Sequence, residues 1–393
     1  MNDFSFSTVS HIVSAAGAAD RLGEHIRLHF PHVRRALVVT DAGFLRTGLA
    51  AAPIASLEQV GFHVETYADV IADPPEHVVL AAVDLARSHG SDIVIGLGGG
   101  SSMDVAKLIA VLAGSGQPLA EAYGIGNVQG DRLPLVQVPT TAGTGSEVTN
   151  IAIVTTGATT KMGVVAPQLY ADLAILDAAL TLGLPPQVTA ATGIDAMVHA
   201  IEAYTSRHKK NPLSDMLARE ALRLLSRNLP IACAGGTDRA ANLAARQAML
   251  LGALLAGQAF ANAPVAAVHA LAYPIGGIFH VPHGLSNALV LPHVLRFNAP
   301  VAGQSYAELA EIVAPSVPRG EQPRAESGGE ALAAAMEQLA QQAGIARTLR
   351  AVGITEADLD GLADAAMLQT RLLGNNPRDV NRADARAIYA AAL

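Results

Sequence analysis

The first half of the chain alternates short apolar runs with longer segments that carry apolar residues at helical spacing. The runs predict strands because they are rich in Val, Ile and Leu and end at Gly, Pro or Asp. The predicted strands are residues 36–41, 62–70, 92–99, 133–139, 151–156, 161–167 and 171–177. Residues 47–61 and 74–90 predict helices, and Asp73 is expected to cap the second one, with Pro74 or Pro75 in its first turn. The alternation predicts a parallel sheet covered on both faces, followed by a hairpin and one further strand.

The second half of the chain is helical in pattern almost throughout. Pro185 and Pro186 interrupt the sequence just before the change, so we place a domain boundary there. We expect an α/β domain over residues 1–184 and an all-helical domain over residues 185–393. Residues 314–330 combine Pro, Gly and charges, and they are predicted to form a mobile surface loop.

Composition narrows the function classes. The chain has 393 residues, of which 51% are apolar, and it lacks Trp, so large cores of Ala, Leu and Val are expected. The net charge of −8 without a long basic run makes nucleic acid an improbable partner. Cys233 is the only cysteine, which excludes a disulfide within the chain and a cysteine zinc site, and fits a cytoplasmic protein. The first residues do not form a signal-peptide pattern.

The segment from Met249 to Tyr273 is apolar enough to be tested as a membrane span. Polar residues and a proline interrupt it: Gln258, Asn262, Pro264 and His269. Because lipid penalises unsatisfied polar groups, buried helices of a large domain are the better interpretation, and no membrane contact is expected.

Four scattered residues are candidates for a metal site. Asp195 and His199 are four residues apart in a helical pattern and therefore project from one face of it, while His269 and His283 follow further along. Burying an acid and imidazoles without partners would be costly, and a bound cation removes that cost. One carboxylate and three imidazoles suit Fe(II) or Zn(II). His280 is a candidate for an outer-shell or proton-relay group.

A glycine-rich turn, GLGGGSSMDVAK, follows a predicted strand and precedes a helix. Its glycines, Gly98, Gly99 and Gly100, permit close approach of a pyrophosphate, and the helix N-terminus offers free N–H groups to it. Ser101 and Ser102 add hydroxyl donors. The spacing differs from G-x-G-x-x-G, and an ordinary tight turn remains an alternative.

A second loop, PTTAGTGSEVTN, also follows a predicted strand, and it supplies the hydroxyls of Thr140, Thr141, Thr144 and Ser146. Loops after parallel strands line one crevice, so the two loops are expected to meet. Asp41 ends the first predicted strand, where an acid can bind an adenosine ribose and repel a 2′-phosphate, which favours NAD over NADP. Capping of the next helix is an equally good role for Asp41.

Taken together, these blocks resemble the iron-containing, or group III, alcohol dehydrogenase family. The matching segments are GLGGGSSMDVAK, PTTAGTGSEVT, GIDAMVHAIEAY and VHALAYPIGGIFHVPHGLSNALVLPHV. The resemblance runs from about residue 36 to the C-terminus. It implies an N-terminal dinucleotide-binding α/β domain, a helical C-terminal domain and an active site in the cleft between them.

The family resemblance also implies roles for individual residues. It implies that Asp195, His199, His269 and His283 bind Fe²⁺, with Zn²⁺ as an alternative. It implies that the dinucleotide, for which Asp41 favours NAD(H) over NADP, contacts a set of residues in the first half of the chain: Asp41, Gly98, Gly99, Ser101, Thr140, Thr141, Thr144, Lys161 and Leu182. Many relatives carry a histidine where this chain has Tyr273, so Tyr273 or His280 is expected to relay the proton.

The expected reaction is hydride transfer between a small alcohol, or its aldehyde or ketone, and NAD(P), in a homodimer or higher homo-oligomer. The alternatives on this architecture are a glycerol-dehydrogenase-like or maleylacetate-reductase-like oxidoreductase and a dehydroquinate-synthase-like lyase. The lyase needs several basic residues for its substrate, and residues 190–300 offer few of them near the metal motifs. A non-catalytic metal-binding scaffold would leave the paired strand-end loops unexplained.

Overall fold

The computed structural model describes residues 3–157, 160–235, 238–314 and 325–393. Two compact units divide the chain between Leu184 and Pro185. The α/β unit spans Thr8–Leu184, and the helical unit contains Pro185–Leu393. Residues 3–7 group with the helical unit rather than with the α/β unit. Paired hydrogen bonds hold them there: the Ser7 N–H donates to Asn262 Oδ1 (2.8 Å), and Asn262 Nδ2 donates to the Ser7 carbonyl (2.9 Å).

The main sheet of the α/β unit has six strands in the described residues, and every neighbouring pair is parallel. In spatial order the strands are β1 (His11–Ser14), β9 (Leu173–Leu176), β6 (Leu135–Pro139), β4 (Ile93–Gly98), β2 (Arg35–Val39) and β3 (His63–Tyr67). The central strands are buried almost continuously, as expected for a sheet covered on both faces. The predicted α/β class and parallel sheet are therefore confirmed.

The predicted hairpin lies in a separate small sheet. β7 (Ile151–Thr156) and β8 (Thr160–Val165) pair antiparallel, and β5 (Gly124–Ile125) joins β8 in parallel. The strands β1 and β5 are absent from the sequence prediction. β5 has only two residues, and β1 is largely exposed, so neither forms a buried apolar run that the pattern could reveal.

Six α-helices accompany the strands in the described part of the α/β unit. They are α1 (Leu22–His29), α2 (Ala42–Arg46), α3 (Ala51–Gln59), α4 (Glu76–His89), α5 (Gly100–Ser115) and α6 (Leu119–Ala122).

The prediction that Asp73 caps α4 is wrong. The residue at the N-cap is Pro75, which makes no side-chain cap. Asp73 instead has a φ of 52°, and its Oδ1 accepts a hydrogen bond from Lys161 Nζ at 2.7 Å. An ion pair to the small sheet thus replaces the helix cap.

The helical unit is built from nine α-helices in its described residues. They are α7 (Pro186–Thr205), α8 (Pro212–Ala234), α9 (Arg239–Asn262), α10 (Ala267–Phe279), α11 (His283–Val313), α12 (Ala325–Gln342), α13 (Leu359–Met367), α14 (Thr370–Leu373) and α15 (Arg382–Ala392). Among the described residues, α9 alone is long and apolar enough to cross a membrane, but 67% of its most apolar window is buried inside the fold. The interrupted apolar segment forms two core helices, α9 and α10, as predicted.

The predicted loop over residues 314–330 is only partly covered by the structure. Residues 315–324 lie outside the described residues. The last part of the segment is helical, because α12 begins at Ala325, so the loop prediction is wrong for residues 325–330. Small residues permit a close helix contact there: a Cβ on Gly328 would lie 2.0 Å from the Gly303 carbonyl oxygen of α11.

Helices α7 and α11 meet so closely at one point that only glycine fits. A Cβ on Gly284 would lie 2.4 Å from the carbonyl oxygen of Ala191 and 3.2 Å from the Cβ of Asp195. The absent side chain lets the first turn of α11 lie directly against α7. This contact fixes the distance between Asp195 and the residue before Gly284, which is His283.

We predict that Gly284→Ala destabilises the protein by about 1–3 kcal/mol, because the added methyl group must push two packed helices apart. The measurement is the urea midpoint of unfolding. Gly361→Ala is the matched control: Gly361 lies in α13, and a Cβ added there would meet no neighbouring group within 4 Å, so alanine should be neutral or slightly stabilising. Equal midpoints for the two variants would contradict the proposed close contact.

Candidate metal centre and cofactor loops

The four predicted ligands converge in the helical unit. Asp195 and His199 lie one turn apart on α7, His269 lies in the first turn of α10, and His283 is the first residue of α11. One ligand atom from each residue lies within 4.8 Å of the ligand atoms of the other three. No other such group of His, Cys, Asp or Glu occurs in the part of the chain that the structure describes. The arrangement fits a single divalent cation held by three nitrogens and one oxygen.

Burial and mutual charge set the protonation of these ligands. Asp195 and His269 are each 2% exposed, whereas the His283 side chain is 32% exposed and gives the site its open side. Burial raises the pKa of Asp195, but His199, His283 and His269 outweigh it and hold the pKa below its usual value. Burial lowers the pKa of His269 far below its usual value, and the neighbouring imidazoles add to this effect. An ionised Asp195 beside a neutral His269 is the protonation state in which both can bind a metal.

Glu202 is a buried acid that the sequence interpretation missed. Its Oε2 lies 2.6 Å from His269 Nδ1, and its Oε1 accepts the Val268 N–H at 2.6 Å. Burial raises the pKa of Glu202 to about 7, against the backbone donors at Ala266 and Val268. The carboxylate therefore fixes the His269 ring so that Nε2 faces the other ligands. An acid three residues after His199, within a largely apolar helical segment, was the available signal.

Aromatic rings enclose two sides of the ligand cluster. The His199 ring stacks between Phe260 (centroids 4.4 Å apart) and His269 (4.8 Å). The Tyr273 ring lies 6.5 Å from His269 and 5.8 Å from His283. Phe260 is thus a packing partner of a ligand, and Tyr273 borders the half-exposed side near His283.

The structure separates the two predicted proton-relay residues. Tyr273 lies against two ligand rings, those of His269 and His283. His280 is exposed and forms the C-cap of α10 with a φ of 55°. Its local role is therefore to end the helix before His283 begins the next one.

The two predicted cofactor loops meet at the carboxyl ends of adjacent strands. Gly98 ends β4 opposite Pro139 of β6, and the Thr140 N–H donates to the Gly98 carbonyl at 3.0 Å. A Cβ on Gly100 would lie 2.7 Å from Thr144 Cγ2, so the second loop packs against the first turn of α5. The α5 N-cap, Gly99, provides no side-chain cap, which leaves the first-turn N–H groups available to an anion.

Several predicted cofactor residues already have partners within the fold. Asp41 caps α2, with its Oδ1 accepting the Phe44 N–H at 2.8 Å. Lys161 is ion-paired with Asp73, and only 10% of its side chain is exposed. Ser101, Thr141, Thr144 and Leu182 are partly exposed. The capping role of Asp41 is thus observed, and its role at a ribose stays a prediction.

A buried lysine shapes the second loop, and the sequence interpretation did not identify it. Lys107 of α5 is fully buried and donates to Ser146 Oγ (2.7 Å), Thr149 Oγ1 (3.1 Å) and the Ile151 carbonyl (2.7 Å). The Ser146 hydroxyl in turn donates to Asp104 Oδ1 at 2.6 Å. Ser146 therefore stabilises the loop from inside, and it is not among the hydroxyls available to a ligand.

Family profiles match both units of the chain. The profile described as iron-containing alcohol dehydrogenase matches residues 10–178, and the one described as Fe-containing alcohol dehydrogenase family, C-terminal, matches residues 189–393. The two matches together cover nearly the whole chain, so the family is shown across both units.

Individual relatives agree with the profiles. The chain is 42% identical to long-chain-alcohol dehydrogenase 1 of Geobacillus thermodenitrificans, over 99% of this chain and 96% of that relative. A crystal structure of 1,3-propanediol oxidoreductase superposes with a TM-score of 0.93 at 34% identity, with full coverage of both chains. Sulfoacetaldehyde reductase from Bifidobacterium kashiwanohense, solved in complex with NAD⁺, gives a TM-score of 0.87 at 27% identity, over 100% of this chain and 99% of that one. The chain therefore belongs to the iron-containing alcohol dehydrogenase family and is a hydride-transferring oxidoreductase of alcohols and aldehydes.

Proposed function

We propose that this alcohol dehydrogenase uses Fe²⁺ held by Asp195, His199, His269 and His283, and that NAD is its hydride carrier. The convergence of these four ligand atoms within 4.8 Å is the observation that carries the proposal. The donor set lacks sulfur and therefore suits Fe(II) and Zn(II) alike, and the family assignment favours iron.

The orientation of His269 supports metal binding independently of its distance from the other ligands. Its Nδ1 is engaged by Glu202 at 2.6 Å, so only Nε2 remains to face the cluster. A carboxylate behind a metal-binding histidine fixes the tautomer and makes the ring a stronger ligand. The stacking of Phe260 on His199 keeps water away from one side of the site.

The loop geometry of the α/β unit supports NAD binding. Thr140, Thr141 and Thr144 follow β6, next to the uncapped N-terminus of α5, and this combination of hydroxyls and backbone donors suits a pyrophosphate. Asp41 presents a second carboxylate oxygen beside Gly98, at 3.9 Å from a Cβ position there. An acid at this place favours the ribose of NAD over the 2′-phosphate of NADP.

The residues around the proposed metal site have different roles in the reaction. A divalent cation bound at the four ligands would act as a Lewis acid that lowers the pKa of an alcohol, and NAD would accept the hydride. Glu202 holds His269, and His283 leaves the cluster open on one side. We assign the proton relay to Tyr273 rather than His280, because the Tyr273 ring contacts two ligand rings.

The substrate is proposed to be a small alcohol or its aldehyde or ketone. The similar proteins are named for a long-chain alcohol, 1,3-propanediol and sulfoacetaldehyde, so the family framework accommodates several chain lengths and end groups. We further propose that the protein is a cytoplasmic homo-oligomer. The single cysteine agrees with a reducing compartment.

His269→Ala tests the metal centre. We expect the purified variant to lose bound iron and at least about 100-fold in alcohol-dependent NADH formation, because one ligand and its Glu202 contact are removed. NAD binding, measured by calorimetry, should stay within about twofold of the parent protein. His208→Ala is the control, since His208 is exposed outside the cluster. Unchanged metal content in His269→Ala would show that the ligand assignment is wrong.

Asp41→Asn tests the choice of cofactor separately from the helix cap. Asparagine caps helices as well as aspartate, so stability should not change, while loss of the charge should raise the NADP-to-NAD ratio of kcat/KM by about tenfold. Asp41→Ala serves as the comparison, because it also loses the cap and should cost about 1 kcal/mol. If the ratio is the same in Asp41→Asn and the parent protein, Asp41 acts only as a cap.

A further inference from the structure

Asn287 lies against the ligand cluster, although neither its residue type nor its spacing marks it as a site residue in the sequence. It is fully buried on α11, one turn after His283. Its Nδ2 lies 2.6 Å from Asp195 Oδ1 and 3.3 Å from the Nε2 atoms of both His269 and His283. One amide nitrogen thus approaches three of the four proposed ligands.

In these contacts the Asn287 amide nitrogen is the hydrogen-bond donor, and the neighbouring ligand atoms are the acceptors. A carboxylate oxygen accepts hydrogen bonds, and His269 Nε2 carries a lone pair when Nδ1 donates to Glu202. An amide oxygen in the same place would repel these atoms, so the amide nitrogen faces the ligands. Each imidazole Nε2 has a single lone pair, which goes either to an amide N–H or to a cation, so the contact that persists with a cation bound is the one to Asp195 Oδ1.

The oxygen of the Asn287 amide indicates that the residue is placed for the metal site and not for the stability of the fold. Asn287 Oδ1 is buried and has no hydrogen-bond partner in the described part of the chain. A buried polar atom without a partner costs about 1–3 kcal/mol. By contrast, Asn298 further along α11 is also buried, and its amide exchanges two hydrogen bonds with Asn376 (3.0 and 2.8 Å).

We infer that Asn287 is a positioning residue of the metal centre: its amide N–H donates to Asp195 Oδ1 and holds this carboxylate in the arrangement that binds one divalent cation together with the three histidines. This inference rests on the proposed metal site. Because Asn287 acts through the ligands, its loss should alter the affinity and geometry of the metal while leaving the ligands themselves in place.

Replacement of Asn287 by Ser and by Ala tests the inference, since the two side chains differ mainly by one hydroxyl donor. Co²⁺ is the probe, because its visible absorption reports ligand geometry and its affinity can be measured by competition with a chelator. We expect Asn287→Ala to weaken Co²⁺ binding about 10- to 100-fold and to change the absorption spectrum. Asn287→Ser should lose less affinity than Asn287→Ala, because its hydroxyl replaces one donor.

Two further variants separate positioning from packing. Asn287→Leu fills the volume without a donor, so it should behave like Asn287→Ala in Co²⁺ binding even if the smaller alanine impairs folding. Asn298→Ala should lower the melting temperature and leave the Co²⁺ affinity and spectrum unchanged. The inference is wrong if the Ala and Leu variants bind Co²⁺ with the parent affinity and spectrum, or if Ser and Ala lose affinity equally.

The wild-type protein and His269→Ala distinguish this result from a failure of the metal site itself. If the wild-type protein binds no Co²⁺, or if His269→Ala binds it as well as the wild-type protein does, the proposed metal centre fails. If the wild-type protein binds Co²⁺ and His269→Ala does not, the Asn287 variants decide the inference alone.

Discussion

The helical unit depends on placing one buried carboxylate among imidazoles. Asp195 is almost completely removed from water, and a charge in that position is tolerated only when nearby groups compensate for it. His199, His269 and His283 come from three different helices, so α7, α10 and α11 must meet in one arrangement to surround the acid. The need to bring these helices together explains why α11 has a glycine, Gly284, where it packs directly against α7.

A second buried charge plays the corresponding part in the α/β unit. Lys107 has no exposed surface, and burial lowers its pKa while Asp104 and Glu147 oppose the shift. Its ammonium group donates hydrogen bonds to Ser146, Thr149 and Ile151, and these bonds hold that loop against α5. The loop proposed to bind NAD is thus fixed from its buried side, while Thr141 and Thr144 remain partly exposed. In both units a buried charge positions residues that are proposed to bind a ligand.

Much of this organisation follows from the sequence because the strongest signals were periodic. The buried strands, such as Ile93–Gly98, are continuous apolar runs, and Asp195 with His199 repeats at helical spacing. The predictions that failed concerned residues whose roles depend on neighbours that are distant in the sequence. Asp73 resembles a helix cap until its ion pair with Lys161 is seen, and Ser146 resembles a ligand hydroxyl until Lys107 is seen beside it. Glu202 and Asn287 belong to no recognisable sequence motif. Their roles become visible only through their contacts with His269 and Asp195 in the structure.

The most direct test of the central claim is a crystal structure of the iron-loaded protein with anomalous diffraction measured at the iron edge. We expect one strong peak within about 2.0–2.3 Å of one atom each from Asp195, His199, His269 and His283. A peak bound by other residues, or no ordered iron in a protein that oxidises alcohols with NAD, would contradict it.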